Sequence, residues 1–115
     1  MQDYKKLNVW SKSHTLELYT LTKSFPKEEL YGLTNQLRRA GTSIPANIAE
    51  GCGRHSKNDT THFFQIALGS IHEVGYYILL SKDLNYITIK EFETQNILLS
   101  ELKAMMIALI KKARS

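Results

Sequence analysis

Leu30, Leu33, Leu37, Ala40, Ile44 and Ile48 recur three or four residues apart on both sides of Pro45. At 100° per residue they share one helical face. A chain that ended its helix before the proline would have no reason to keep that phase, so the pattern predicts one continuous helix, bent at Pro45. An interior proline removes a backbone hydrogen bond and presses on the carbonyl four residues back, a cost of about 3 kcal/mol. That carbonyl belongs to Gly41, the residue type that yields most readily, and the hydroxyls of Thr42 and Ser43 can bond helix carbonyls nearby.

Three further segments carry helical periodicity, and no segment shows strand-like alternation. The first helix is predicted from Asn8, as N-cap, to Ser24, with Trp10, Leu18, Leu21 and Phe25 on one stripe; Pro26 stops it, and Glu28 and Glu29 favour the start of the second. Gly51 and Gly53 are read as ending the second helix. Ser56 with Asp59 resembles a capping box opening the third, Lys57 to about Leu84, whose seam reads Phe63, Ala67, Ser70, Val74, Tyr77, Ser81 and Leu84. Phe64, Leu68, Ile71, Ile78 and Leu79 flank that seam, so apolar side chains cover more than half of the circumference. Thr88 with Glu91 forms a second box, opening a fourth helix in which Phe92, Leu99, Leu102, Met106, Leu109 and Ala113 keep the spacing. Short loops between long amphipathic helices predict an all-α, antiparallel up-down-up-down four-helix bundle, one domain over residues 1–115.

A chain of 115 residues buries enough surface to fold without staples. Cys52 is the only cysteine, which together with the lack of a leader-like N-terminus leads us to expect a cytoplasmic location. No apolar run approaches the roughly 18 residues of a membrane span, so no membrane partner is expected. The net charge of +4 favours anionic partners only mildly.

The second helix has two further faces. Thr42, Ala46, Ala49 and Gly53 form a flank of small side chains; Gln36, Arg39, Ser43, Asn47, Glu50 and Arg54 form a polar one, with Glu50 and Arg54 in the favourable acid-first order. That flank is either solvated or a contact with another subunit, and the wide apolar coverage of the third helix favours the contact. Arg38 and Arg39 project to opposite sides of the apolar stripe. Arg54, His55 and Lys57 sit at the start of the third helix, where unpaired backbone N–H groups favour an anion; the alternative is an ordinary basic turn.

Catalytic and metal chemistry find little footing. His14, His55, His62 and His72 lack any metal-ligand spacing, and Cys52 has no base at a motif distance, so neither a metal, a cofactor nor an enzymatic activity is expected. "GCGRHSK" lacks the strand and the spacing of a phosphate loop. Trp10, Tyr31 and Phe63 are stacking candidates for bases, although periodicity assigns Trp10 and Phe63 to the core.

"YGLTNQLRRAGTSIPANIAEGCGR" (Tyr31 to Arg54), preceded by "LNVWSKSHTLELYTLTKSFPKEEL" and followed by "FFQIALGSIHEV", resembles the bacterial four-helix-bundle proteins encoded by intervening sequences of large-subunit ribosomal RNA genes. The resemblance covers nearly the whole chain. The arginine pair, "SIP", "NIAEG" and the following arginine recur there in that order, whereas the fourth helix matches mainly in pattern; Gly41, Ala46 and Cys52 depart from the commoner residues. The resemblance implies a homopentameric ring. It also implies kinship with the accessory variability determinant of diversity-generating retroelements, which engages RNA and a reverse transcriptase through a basic surface. We therefore expect a non-catalytic, ring-forming homo-oligomer that associates with RNA, or else a protein adaptor without direct nucleic-acid contact. Arg38, Arg54, His55 and Lys57 are the expected RNA or anion ligands, and Arg39, Ser43, Asn47 and Glu50 the expected subunit interface.

Overall fold

The computed structural model describes residues 2–14 and 18–115. Among them the ordered elements are all helical: a 3-10 turn at Tyr4–Lys6, α1 (Asn8–His14), α2 (Leu18–Thr22), a second 3-10 turn at Lys27–Glu29, α3 (Leu33–Cys52), α4 (Lys57–Asp83) and α5 (Ile89–Arg114). α4 packs against α3 on one side and α5 on the other, while α1 reaches both α3 and α5, giving the four-helix bundle that the periodicity predicts. At 1.5 Å per residue α4 is about 40 Å long. It therefore sets the 43 Å long axis of a molecule 25 and 19 Å across.

α3 runs unbroken through Pro45, and Leu37, Ile44 and Ile48 on its stripe are fully buried. Polar side chains beside the proline bond other carbonyls of the helix. The Thr42 hydroxyl donates to the Arg38 and Arg39 carbonyls (3.1 and 3.2 Å), and Asn47 Nδ2 donates to the Ser43 carbonyl (2.8 Å). Gly41 has a second reason to be glycine: a Cβ there would lie 2.3 Å from Leu18 Cδ1, so its absence lets α2 press against α3.

The boundaries correct several expectations. The predicted first helix comprises α1 and α2 and ends at Thr22; residues 15–17 lie outside the described residues. Its first turn closes from the Leu7 carbonyl to the Ser11 N–H (3.1 Å), one residue ahead of the expected cap. Glu28 and Glu29 form a 3-10 turn rather than the start of α3, because Tyr31 and Gly32 intervene. Glu29 still serves the helix, its Oε1 accepting from Leu33 N at 3.3 Å, but Leu30 falls off the stripe and is half exposed. Gly51 lies inside α3, not at its end: a Cβ there would meet two Phe64 ring carbons at 2.6 and 2.7 Å. Gly53 is the true cap, its N–H donating to the Ala49 and Glu50 carbonyls.

The predicted α4 seam holds in part: Ala67, Ser70, Val74 and Ser81 are buried, but the flanking Phe64, Ile71 and Ile78 fill the core, while Phe63 and Tyr77 are half-buried and Leu84 is exposed. A helix apolar on most sides offers several seams of equal spacing, and only packing selects among them. By length and composition α4 is apolar enough to cross a membrane, although Glu73 and Lys82 interrupt its apolar residues, so that no uninterrupted run reaches the length of a span. In the bundle it occupies the central position between α3 and α5.

The turn into α5 is tightly specified. Tyr86 N–H donates to the Ser81 carbonyl and Asn85 N–H to the Lys82 carbonyl (both 2.9 Å), a Schellman closure in which Asn85 takes the left-handed conformation at φ 63°. Thr88 and Glu91 then form the full capping box, whereas at Ser56 only half is made: its hydroxyl accepts from Asp59 N at 3.1 Å. The Tyr86 hydroxyl donates to Glu29 Oε2 (2.9 Å), tying this turn to the one before α3. That carboxylate pushes the Tyr86 phenol above its ordinary pKa.

Candidate nucleic-acid interface

The end of α3, the start of α4 and the last turn of α5 converge at one tip of the bundle. Their sequences make this tip basic: Arg54, His55 and Lys57 fill the α3–α4 turn, and Lys111, Lys112 and Arg114 complement the carbonyl end of α5. The close packing at Gly51 draws the backbone of α3 onto Phe64 and Thr60, which brings the turn against α5. Lys57 Nζ donates to the Ser115 carbonyl (2.6 Å), and Gln2 N–H donates to the Cys52 carbonyl (3.1 Å), so the N-terminal segment borders the same place.

These elements enclose an open groove of about 490 Å³. Arg54, His55, Lys57 and Lys112 line it, and among the described residues no Asp or Glu side chain does. A neighbouring cleft of about 330 Å³ shares Lys57 and adds His62 and Arg114. Arg54 is held in place from two sides, paired with Glu50 and stacked over the Phe63 ring at 4.6 Å from its centroid. Glu50 offsets part of its charge but fixes the guanidinium without closing the groove. Ser56 and Asp59 occupy the start of α4, so the side chains rather than bare backbone N–H groups give this tip its positive character. Cys52, buried beneath the groove, is pushed above its ordinary pKa first by burial and then by Asp3, which keeps it a protonated thiol at neutral pH.

Arg38 does not join this tip. Fourteen residues of α3 put it about 21 Å from Cys52, where the helix ends below the tip. Its Nε–H donates to Thr22 Oγ1 (2.9 Å) and its guanidinium lies 4.6 Å over the Tyr19 ring. The four expected interface residues divide. Ser43 and Asn47 are bonded within the protomer: Asn47 Nδ2 donates to Ser43 Oγ and Ser70 Oγ donates to it, both at 2.9 Å. Arg39 and Glu50 are exposed. The polar flank of α3 thus runs along the edge of α4, from Gln36 beside Tyr77 through Ser43 at Ser70 to Arg54 over Phe63.

Sequence reasoning placed Arg54, His55 and Lys57 at a helix start but missed that Lys112 and Arg114 join them. The signal was available, since an antiparallel bundle brings the end of α5 to the start of α4. Among the described residues no group of three or more His, Cys, Asp or Glu side chains is arranged to hold a metal ion.

The model of the 23S rRNA-intervening sequence protein family matches residues 5–108. A crystal structure from Bacteroides thetaiotaomicron, described as a protein of unknown function from the S23 ribosomal protein family, superposes with a TM-score of 0.83 at 31% identity, covering 90% of this chain and 95% of that one. The comparison with curated proteins gives no match.

Proposed function

The chain belongs to the 23S rRNA-intervening sequence protein family, and from that premise we propose that it is a non-catalytic, ring-forming homo-oligomeric helical bundle that associates with RNA through its basic tip. The observation that carries this reading is the groove at the α3–α4 turn, where Arg54, His55, Lys57 and Lys112 converge with no Asp or Glu among the described lining residues. Phosphates neutralised there release counterions, which makes the binding sequence-tolerant and salt-dependent. A ring repeats the tip on every subunit, and simultaneous engagement multiplies a weak contact. The kinship with the accessory determinant of diversity-generating retroelements that the family resemblance implies favours the same kind of partner. Burial pushes the Cys52 thiol up, which argues against a thiolate nucleophile at that residue.

The test is a titration of labelled structured RNA at two ionic strengths. Affinity is expected to fall steeply as salt rises, with Lys57→Ala and Lys112→Ala each reducing the slope of log K against log salt by about 1. Absence of binding at micromolar protein in low salt rejects the reading.

One observation favours the adaptor alternative: Ile66, Tyr76 and Leu79 on α4 are exposed large apolar residues, a surface suited to another polypeptide. In the preferred reading that polypeptide is a second copy of this chain. Co-purification of a different protein in a nuclease-resistant complex would favour the adaptor.

A further inference from the structure

At the other end of α3, and remote from the basic tip, lies a second open pocket of about 500 Å³ between α2, the turn before α3 and the first turns of α3. We propose that this pocket takes one unpaired nucleotide of an RNA strand, its base stacked on Tyr31 and its phosphate held by Arg38 and Arg39; the inference rests on the RNA reading above.

Four features converge on that chemistry. Tyr31 is 90% exposed, so its ring contributes almost nothing to the bundle and is available as a stacking platform. Arg38 is preorganised: Thr22 Oγ1 holds its Nε, the Tyr19 ring lies against its guanidinium plane, and the Thr22 hydroxyl is itself anchored by donating to the Leu18 carbonyl at 2.7 Å. Among the described residues that single hydrogen bond occupies one of the five donors of the guanidinium, so the rest can serve a phosphate without an ordering cost. Arg39 adds a second cation, and among the described residues no carboxylate lines the pocket. Asn35 supplies a paired donor and acceptor, the combination a base edge demands.

An unpaired nucleotide suits the site better than a duplex. Stacking on Tyr31 needs a splayed base, which an RNA helix does not present. The separation of about 21 Å along α3 between Arg38 and the end of the helix at Cys52 lets one strand engage both ends of a protomer.

The test measures binding of a short labelled oligoadenylate, an RNA duplex of equal length and adenosine monophosphate to the full chain. Tyr31→Ala is expected to weaken the single strand about tenfold, Tyr31→Phe to restore it to within about twofold, and neither to alter duplex binding. Lys57→Ala should weaken strand and duplex alike, and the mononucleotide should compete only far above the oligonucleotide concentration. The inference is overturned if Tyr31→Ala binds the strand as wild type does, if Tyr31→Phe is as weak as Tyr31→Ala, or if the mononucleotide binds as tightly as the strand. A lower assembly mass for Tyr31→Ala in light scattering also overturns it, assigning the pocket to a subunit contact. Wild-type protein that binds the duplex but not the strand removes this inference alone; binding neither removes the RNA reading with it. Far-UV circular dichroism confirms folding of each variant, whose changed side chain is exposed.

Discussion

Two glycines only two residues apart separate packing from backbone conformation. At Gly51 a methyl group would meet the Phe64 ring at 2.6 Å and the Thr60 carbonyl oxygen at 3.1 Å; at Gly53 the nearest atoms are backbone oxygens at 3.6 and 3.8 Å. Phe64 is 1% exposed, so its ring has nowhere to retreat. Alanine gains up to about 1 kcal/mol over glycine inside a helix, but forcing a methyl into a filled core costs about 1–3 kcal/mol. Gly51→Ala is therefore expected to lower stability by about 1–2 kcal/mol, read from urea midpoints at constant m, whereas Gly53→Ala, at a cap with φ −87°, should be neutral to within about 0.5 kcal/mol. Equal midpoints for the two variants would show that the α3–α4 contact at Gly51 is looser than the distances indicate. The two residues read alike in the sequence, both as helix terminators. Nothing in "EGCGR" tells which glycine a phenylalanine thirteen residues later will cover.

At the scale of elements, legibility followed the width of the apolar stripe. α3 buries one face, so its phase could be followed through Pro45 and the helix proved continuous from Leu33 to Cys52. α4 is apolar over most of its circumference, and the spacing put Phe63 on the seam with Phe64 beside it; packing took Phe64 and left Phe63 as a platform for Arg54. The basic tip was half legible for the same reason, since Lys57 and Lys112 meet only through the antiparallel arrangement of α4 and α5. Continuity through Pro45 also has a measurable consequence. The proline leaves the Gly41 carbonyl without its usual donor, and the nearby Thr42 and Asn47 bonds go to other carbonyls. Pro45→Ala is expected to raise the stability of the protomer by about 1–3 kcal/mol, seen as a higher melting temperature with unchanged helical content. A lower melting temperature would mean that the half-buried ring contributes more by packing than it costs in lost hydrogen bonding.

For the whole molecule, the surface left over by the bundle supports the proposed ring. On α4, Ile66, Gly69 and Tyr76 fall within one outward strip, with Leu79 at its far edge, and a Cβ added at Gly69 would meet no atom within 4 Å. The strip adjoins the polar flank of α3 through Phe63, Ser70 and Tyr77, so apolar side chains and hydrogen-bonding groups form one continuous face. That combination, an apolar centre bordered by polar residues, is how subunit contacts are composed. Charge placed at the centre of such a contact is desolvated without a partner, a penalty of several kcal/mol, while on a solvated helix it is nearly neutral. Ile66→Glu combined with Tyr76→Glu is therefore expected to reduce the mass in light scattering from about five times the 13.2 kDa of the chain to that of a single protomer, with helical content retained. Wild-type protein that itself runs at the protomer mass would refute the ring and leave the strip open to a different polypeptide. A mass unchanged by both charges would move the contact to another face, with Arg39 and Glu50 on α3 as the next residues to alter.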